Sequence, residues 1–535
     1  MTKEVISSST DKIPIKLGPS NQKRVMKNLI LVLTLMIASI GANAQKLEFK
    51  INGLKDTTVH LAKYIGPKLY YADTTEAKNG VVTFDGSKHP AGLYAVITPG
   101  TRFFEFIIDK EDVSMTVGNI NDMVGSMKVN KGANNKVFYQ YVMYMTEKKK
   151  RGDVLNKEYA TADDARKKEI EEELKSIGEK IREEQMKIWE ANKDKFVGTM
   201  VRMSVEPIVP EAPRDDEGNI IDSNFQYNYY VSHYWDDIPF DDPAIVRTPV
   251  YHNKLDKFFS KKGILQIPDS ITRWAKIICD QIPRDNENLA FQYTVHHITQ
   301  KYEASKIMGM DRVFVFMADN YYCGEQNNAW WMTEENSQKL CERANKIRNT
   351  MIGEKAPMLI LPDTTEEKWI NSYMLDAEYT VLYFWDPNCG HCKKTTPKLQ
   401  VLYDKKFKER GVEIYAVGKA TGDDFEDWKK FIAENKLTFI NVGLTKNVYN
   451  QALEDPRPLL NKTTLQSLNY TDTYDIFSTP RIFILDKDGV IRFKQLSIGQ
   501  LEEIIDNLTG HKDDVKLYPK ELPENSGVPD AEDEH

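Results

Sequence analysis

Residues 383–397 read Tyr-Phe-Trp-Asp-Pro-Asn-Cys-Gly-His-Cys-Lys-Lys-Thr-Thr-Pro. Cys389 and Cys392 are held apart only by Gly390 and His391, and a tryptophan, Trp385, stands just ahead of them. Two thiols this close can share a metal ion, close a structural disulfide, or exchange electrons through a reversible one. The remaining cysteines, Cys279, Cys323 and Cys341, have no motif spacing. With five in all, at least one thiol stays unpaired or bonds only transiently.

The elements that position the pair are legible around it. Between 354 and 510 strand and helix patterns alternate: "YTVLYFW", a helix over 393–408, "VEIYAVG", "DFEDWKKFIAENK", "TFINVG", "RIFILD", "VIRFKQ" and "GQLEEIIDNL". Such alternation implies a sheet covered by helices. The two cysteines fall just after the first strand, where its helix begins. Free N–H groups and the positive end of the helix dipole stabilise a thiolate there.

This segment resembles a thioredoxin domain. Phe384-Trp385 precede Cys389-Gly390-His391-Cys392, Pro397 sits where the family kinks its active-site helix, and Ser478-Thr479-Pro480 matches the loop that carries its cis-proline. "GEKAPML" (353–359) and the "DFEDWKKFIAENKLTFINV" stretch resemble TlpA/ResA-like envelope reductases. The order of β-domain, helical domain and thioredoxin domain resembles exported Bacteroidota proteins. The resemblance implies that Cys389 attacks a substrate disulfide, Cys392 resolves the mixed disulfide, and Trp385, Gly390, His391, Pro397 and Tyr383 support the site. It also implies a cis Thr479–Pro480 bond that presents a backbone edge to substrate, with no cofactor beyond the Cys389–Cys392 disulfide.

The competing chemistries fare worse. A structural zinc site takes four ligands, usually from two such pairs, and no second pair exists, so no metal site is expected. A permanent bridge across so short a loop stabilises little. Peroxidatic cysteines follow a Pro-x-x-x-Thr-x-x-Cys arrangement, whereas here Trp385-Asp386-Pro387-Asn388 precede Cys389 without a threonine, which argues against peroxidase activity. Tyr383 occupies the position of the buried aspartate of cytosolic thioredoxins, so deprotonation of Cys392 falls to water, Tyr383 or another side chain, with Lys419 and Asp423 as candidates. Arg481 follows Pro480 where threonine is frequent, and bears on substrate charge preference. Gly390-His391 is also the pair of disulfide isomerases, and histidine there raises the potential. The reading is a reductase; an isomerase or oxidase using the same pair, or a non-catalytic binding or scaffold protein with an accessory thioredoxin module, are the alternatives.

The whole chain is predicted to be multidomain: an N-terminal all-β sandwich, a mostly α-helical middle and a C-terminal α/β thioredoxin fold. Its 535 residues exceed one core. Residues 1–44 read as a signal peptide, with the true start possible at Met26: Lys23-Arg24 and Lys27 precede an apolar run from Leu29 to Ile40, followed by Ala42-Asn43-Ala44. About a dozen apolar residues fall short of the ~20 of a membrane span. The expectation is export to the periplasm or cell envelope, as a soluble protein or one anchored by an uncleaved leader.

Residues 45–122 alternate with period two around Asn79-Gly80, Asp85-Gly86 and Pro99-Gly100, a β-sandwich-like domain. Residues 123–350 read as a helical domain, with Ile170, Leu174, Ile177, Ile181 and Ile188 forming one amphipathic seam. Within it, "HYWDDIPFDDP" (233–243) reads as turn and cap chemistry around buried Tyr234 and Trp235, and adjacent His296 and His297 point to different faces. Cys279, Cys323 and Cys341 read as buried structural thiols, with a Cys323–Cys341 bond left open as an alternative that spacing does not support. Residues 351–511 form the thioredoxin-like domain, and 512–535 an acidic disordered tail. The net charge of −8, without a basic patch, argues against nucleic acid. Expected partners are disulfide-containing envelope proteins and a membrane electron donor or acceptor.

Overall fold

The computed structural model describes residues 45–518 apart from 287, 306, 325–328 and 423. The leader expected over 1–44 lies outside the described residues. The chain divides into two compact units, Met1–Val205 and Glu206–His535.

In the first unit, β1 (Lys46–Ile51) lies between β4 (Val81–Asp85) and β7 (Val113–Val117), and β8 (Met127–Lys131) closes that sheet. A second sheet runs β3 (Lys68–Ala77), β2 (Thr57–Ile65), β5 (Gly92–Thr98) and β6 (Arg102–Ile108). Alternation sets the faces: Leu47, Phe49 and Ile51 are fully buried while Lys46 and Lys50 are exposed. Phe49 meets Phe106 of the other sheet edge-on, with ring centroids 4.7 Å apart, so the sandwich core lies between the sheets. Strand β8 places the sheet's end beyond the expected boundary at 122; its Met-Lys-Val-Asn-Lys sequence is largely exposed and carries little apolar signal.

Two long helices, Ala133–Tyr159 and Asp164–Ala191, form a hairpin, with the Asp163 carboxylate capping the second. Only Ile170 of the expected seam is fully buried. The first helix is tied to the sandwich as well as to its hairpin partner: Asn135 exchanges two 2.8 Å hydrogen bonds with the Ile107 backbone, and the Tyr139 hydroxyl donates to the Glu105 carbonyl. The division after Val205 therefore falls inside the stretch read as one helical domain.

The second unit begins with shorter helices, among them Pro249–Phe258, Pro268–Gln281, Leu289–Glu303, Asp311–Tyr321 and Glu334–Arg348. Tyr234 and Trp235 are buried against Phe258, and Asp242 caps the turn that follows. Cys323 and Cys341, expected as structural thiols with a mutual bond left open, form a disulfide with Cα atoms 5.7 Å apart, bridging the end of one helix to the next across 18 residues. Spacing alone could not show this, because the helix–turn–helix folds the two ends together. Cys279 is free and fully buried, as expected.

The C-terminal part opens on a two-stranded sheet of β9 (Ile360–Pro362) and β10 (Trp369–Asn371) and then holds a five-stranded one. Its order is β13 (Ile440–Gly443), β12 (Val412–Gly418), β11 (Tyr379–Trp385), β14 (Arg481–Asp486) and β15 (Ile491–Lys494). Strand β11 is central, parallel to β12 and antiparallel to β14. Its alternate residues feed two cores: Val381, Tyr383 and Trp385 face the Gly390–Leu402 and Ile498–Leu508 helices, while Leu382 and Phe384 face Tyr415, Val442 and Tyr474. All-β, helical and α/β segments thus follow one another in the order the sequence indicates.

Residues 512–518 of the tail expected to be disordered are bonded to the domain, and 519–535 lie outside the described residues. Leu517 and Tyr518 donate their amides to the Glu502 carboxylate at 2.7 Å each. Lys406 bonds both Glu502 (2.5 Å) and Asp506 (3.1 Å), while Asp506 also receives Lys516 (2.6 Å) and Arg410. Burial pushes the Asp506 carboxyl up, but Lys516, Lys406 and Arg410 outweigh it and hold it below its ordinary value. Replacing Lys406 with Met leaves the fully buried Glu502 without an ion-pair partner and should cost about 3–5 kcal/mol of unfolding free energy in urea titration. The depressed Asp506 group stabilises the fold above the unfolded carboxyl pKa of about 4, and that contribution is lost as pH falls through the lower folded value. An Asp506→Asn variant should accordingly show a shallower acid-induced loss of stability than the parent.

Candidate active site

Strand β11 ends at Trp385, and the chain turns through Asp386-Pro387-Asn388 before the Gly390–Leu402 helix. Asp386 sets the turn: its carbonyl accepts from the Cys389 amide (3.2 Å) and its carboxylate from the Asn388 amide (2.7 Å). Cys389 then stands at the helix N-cap in an extended conformation, half-buried, and Cys392 lies one turn in with no exposed surface. Pro397 lies inside the helix; lacking an N–H, it leaves the Lys393 carbonyl without its i+4 donor.

The two sulfurs differ because their surroundings differ. Burial pushes the Cys389 thiol up, but the Cys392 amide, the Thr479 side chain and the His391 amide outweigh it, so its pKa falls below the ordinary thiol value. Burial dominates at Cys392 and pushes it up to about 11, although the Asp386 N–H donates to its sulfur at 3.5 Å. The Thr479–Pro480 peptide is cis, and the Cys389 thiol donates to the Thr479 carbonyl at 3.4 Å. A loop 90 residues away in sequence is thereby brought to Cys389.

The supporting residues separate into two groups. Trp385 is buried with its ring 5.2 Å from Phe431, and Tyr383 is fully buried with its hydroxyl 2.8 Å from that of Thr396. Burial holds the Tyr383 phenol far above its ordinary pKa, so it stays neutral and cannot serve as a base. Gly390 has open space where a Cβ would lie, so packing does not demand glycine there, and His391 is exposed. Lys419 sits beside the site, its amine 3.0 Å from Asp424 and 3.4 Å from Asp386; these partners raise its pKa and keep it charged. Asp423 lies outside the described residues.

Sequence reasoning missed the polar bracket that joins the active-site turn to the Asp424–Glu434 helix. The Asn388 side-chain amide donates to both Asp424 and Asp427 at 3.0 Å. That helix is seated by Trp428, fully buried against Gly418, where a Cβ would come within 2.0 Å of the indole nitrogen. The Gly418-to-Trp428 spacing was readable; the contact was not. An apolar cavity of about 780 Å³ opens beside Trp385, Asp386 and Thr479, walled by Leu444, Tyr449 and Leu465. Among the described residues no cluster of His, Cys, Asp or Glu could hold a metal ion.

Residues 352–494 match the AhpC/TSA family, and residues 166–350 match a domain of unknown function, DUF5106. No curated protein matches the chain. Among solved structures, a domain of a possible thiol-disulfide isomerase from Cytophaga hutchinsonii is 34% identical over 30% of this chain and 93% of its own, with a TM-score of 0.23. A thiol:disulfide interchange protein from Bacteroides sp. is 28% identical over 30% of this chain and 90% of its own, with a TM-score of 0.23. A thioredoxin-like protein from Bacteroides caccae is 16% identical, covering 56% of this chain and 97% of its own, with a TM-score of 0.42.

The asymmetry of the two sulfurs sets a pH signature. Iodoacetamide should label Cys389 first at pH 7, with a rate that falls about tenfold per pH unit below its depressed pKa. Cys392 and Cys279, pushed up to about 11 and about 12, should remain unlabelled in the folded protein. Peptide mapping of the alkylated cysteine checks this; equal labelling of Cys389 and Cys392 would contradict it.

Proposed function

Because this chain belongs to the thioredoxin superfamily through its C-terminal domain, a TlpA-like thiol–disulfide oxidoreductase unit, we propose that it is exported and reduces disulfides of envelope proteins through Cys389 and Cys392. The observation that carries this reading is the pairing of a half-buried, acidified Cys389 with a buried, protonated Cys392 beside the Thr479 carbonyl. A thiolate that forms easily attacks, and a thiol held back from solvent waits to resolve.

The cycle balances as follows. The Cys389 thiolate attacks a substrate sulfur, forming a mixed disulfide and releasing the other substrate sulfur as a thiolate. Cys392 loses its proton and attacks the Cys389 sulfur. The Cys389–Cys392 disulfide forms and the substrate leaves with both sulfurs reduced, having gained two electrons from the enzyme dithiol. A membrane electron donor then restores the dithiol. Trp385 and the Thr479–Pro480 edge bound the site, and Gly390-His391 tune its potential. No helix of the described residues is long and apolar enough to cross a membrane.

A Cys392→Ser variant should accumulate mixed disulfides through Cys389, resolved on a non-reducing gel, while Cys389→Ser should abolish insulin reduction. Trapping through Cys279 instead, or no turnover by the intact pair, would defeat the catalytic reading and favour a binding module. The potential of the 389–392 pair decides direction: a value near −270 mV supports a reductase, and one near −180 mV an isomerase or oxidase.

A further inference from the structure

A second cavity, polar and of about 630 Å³, lies against the same loop; Phe477 and Ser478 border both cavities. Its walls come from two parts of the second unit. Tyr302, Glu303 and Arg343 belong to the helical segment, and Pro480, Arg481 and Gln500 to the thioredoxin-like segment. Specific bonds fix these walls together. Lys494 donates to the Thr350 carbonyl at 2.7 Å and pairs with Asp311, Lys346 pairs with Asp472 at 2.8 Å, and the Arg343 guanidinium lies 4.7 Å from the centre of the Phe477 ring. The helical segment thus shapes the approach to the loop that touches Cys389.

The charges around this cleft are unequally satisfied. Glu303 holds Arg343, Asp311 holds Lys494, and Asp472 holds Lys346. Arg481 and Asp475 remain. Among the described residues neither forms a salt bridge, and the Nε atoms of Arg481 and Arg343 are both buried without a hydrogen-bond partner. Burial raises the Asp475 pKa while Arg343, Arg481, Lys346 and Lys494 pull it down, so cations outnumber this one acid in the cleft. A guanidinium cannot relieve its own burial by losing a proton, and its planar fork of donors matches an acceptor with two oxygens in a plane.

We propose that Arg481, backed by Arg343, is a specificity determinant that binds a carboxylate on the substrate protein close to its reactive disulfide, so that preferred substrates are acidic there. The inference rests on thiol–disulfide exchange at Cys389 and adds the substrate's chemistry to it. Arg481 directly follows the Thr479–Pro480 bond, so a segment passing Thr479 has the Arg481 cleft beside it.

The test uses the full chain and a set of peptide disulfides that differ only in bearing Asp, Asn or Lys at each position within three residues of the reactive cysteine. At one position or more the Asp peptide should exceed the Asn peptide about tenfold in kcat/KM, through KM, the size expected of one charge-assisted hydrogen bond. High salt should shrink the ratio. Arg481→Gln should bring it near one, Arg481→Lys should retain part of it, and Arg343→Gln should reduce it. Arg481→Glu should invert the order and favour Lys, a gain that misfolding cannot produce. No acid preference in the parent protein, or a preference unchanged in Arg481→Glu, would overturn the proposal. Absence of turnover with all the peptides would instead remove the exchange reading on which it rests.

Discussion

A sulfur anion at the edge of an apolar sheet needs dipoles to hold its charge, and here the backbone supplies them. The Gly390–Leu402 helix starts at Cys389, so the amides of its first turn, which have no partners within the helix, converge on that sulfur. No cationic side chain is among the leading causes of the shift. Position alone then separates two chemically identical residues: one turn further on, the same helix carries Cys392 into the core, where burial outweighs every stabilising bond. The division of labour in the proposed cycle follows from this single geometric fact.

The rest of the C-terminal part can be understood as keeping that helix end in place. The central strand β11 delivers the turn, and the Asn388 bracket to Asp424 and Asp427 holds it laterally. Trp428 against Gly418 seats the bracket's own helix. Beyond the far end of the active-site helix, Lys406 and Arg410 are locked to Glu502 and Asp506, and residues 514–518 fold over the same acids. Buried ion networks contribute modest net stability, but they penalise misplacement heavily because a displaced partner leaves a naked charge in the core. Such a network suits an element whose register matters more than its strength.

What the sequence disclosed and what it hid divide along physical lines. Alternation along β1 and β7, the strand–helix order after 354 and the placement of Cys389 at a helix start depend on neighbours in the chain, and each was legible. Strand β8 was hidden because an edge strand with exposed side chains needs no apolar alternation. The strap at 512–518 was hidden because its composition is that of a solvated tail; it is held by backbone amides and Lys516 on buried acids, a contact no local pattern encodes. The Cys323–Cys341 bridge, the Asn388 bracket and the cleft at Arg481 are likewise products of chain folding. Arg481 stood out in the sequence only as a departure from a familiar pattern, and its buried Nε, without a hydrogen-bond partner, gives that departure a physical meaning.

The proton of Cys392 carries the argument one step further. A buried aspartate at the Tyr383 position would offer a base; the tyrosine is instead neutral and hydrogen-bonded to Thr396, so it can pass a proton but not take one. Its pKa pushed up to about 11, Cys392 is held protonated at neutral pH. Bonding of Cys389 to substrate removes the neighbouring thiolate but leaves Cys392 buried, so burial, the largest cause of the shift, persists. The Asp386 N–H remains as its dipolar support, and the Asp386–Lys419–Asp424 network leads from that residue toward solvent. In the proposed cycle resolution is therefore the guarded step. A mixed disulfide that dissociates before Cys392 ionises is returned unchanged, and one held against the Thr479 edge long enough is carried through, which makes the contacts around Pro480 a determinant of which encounters become turnovers.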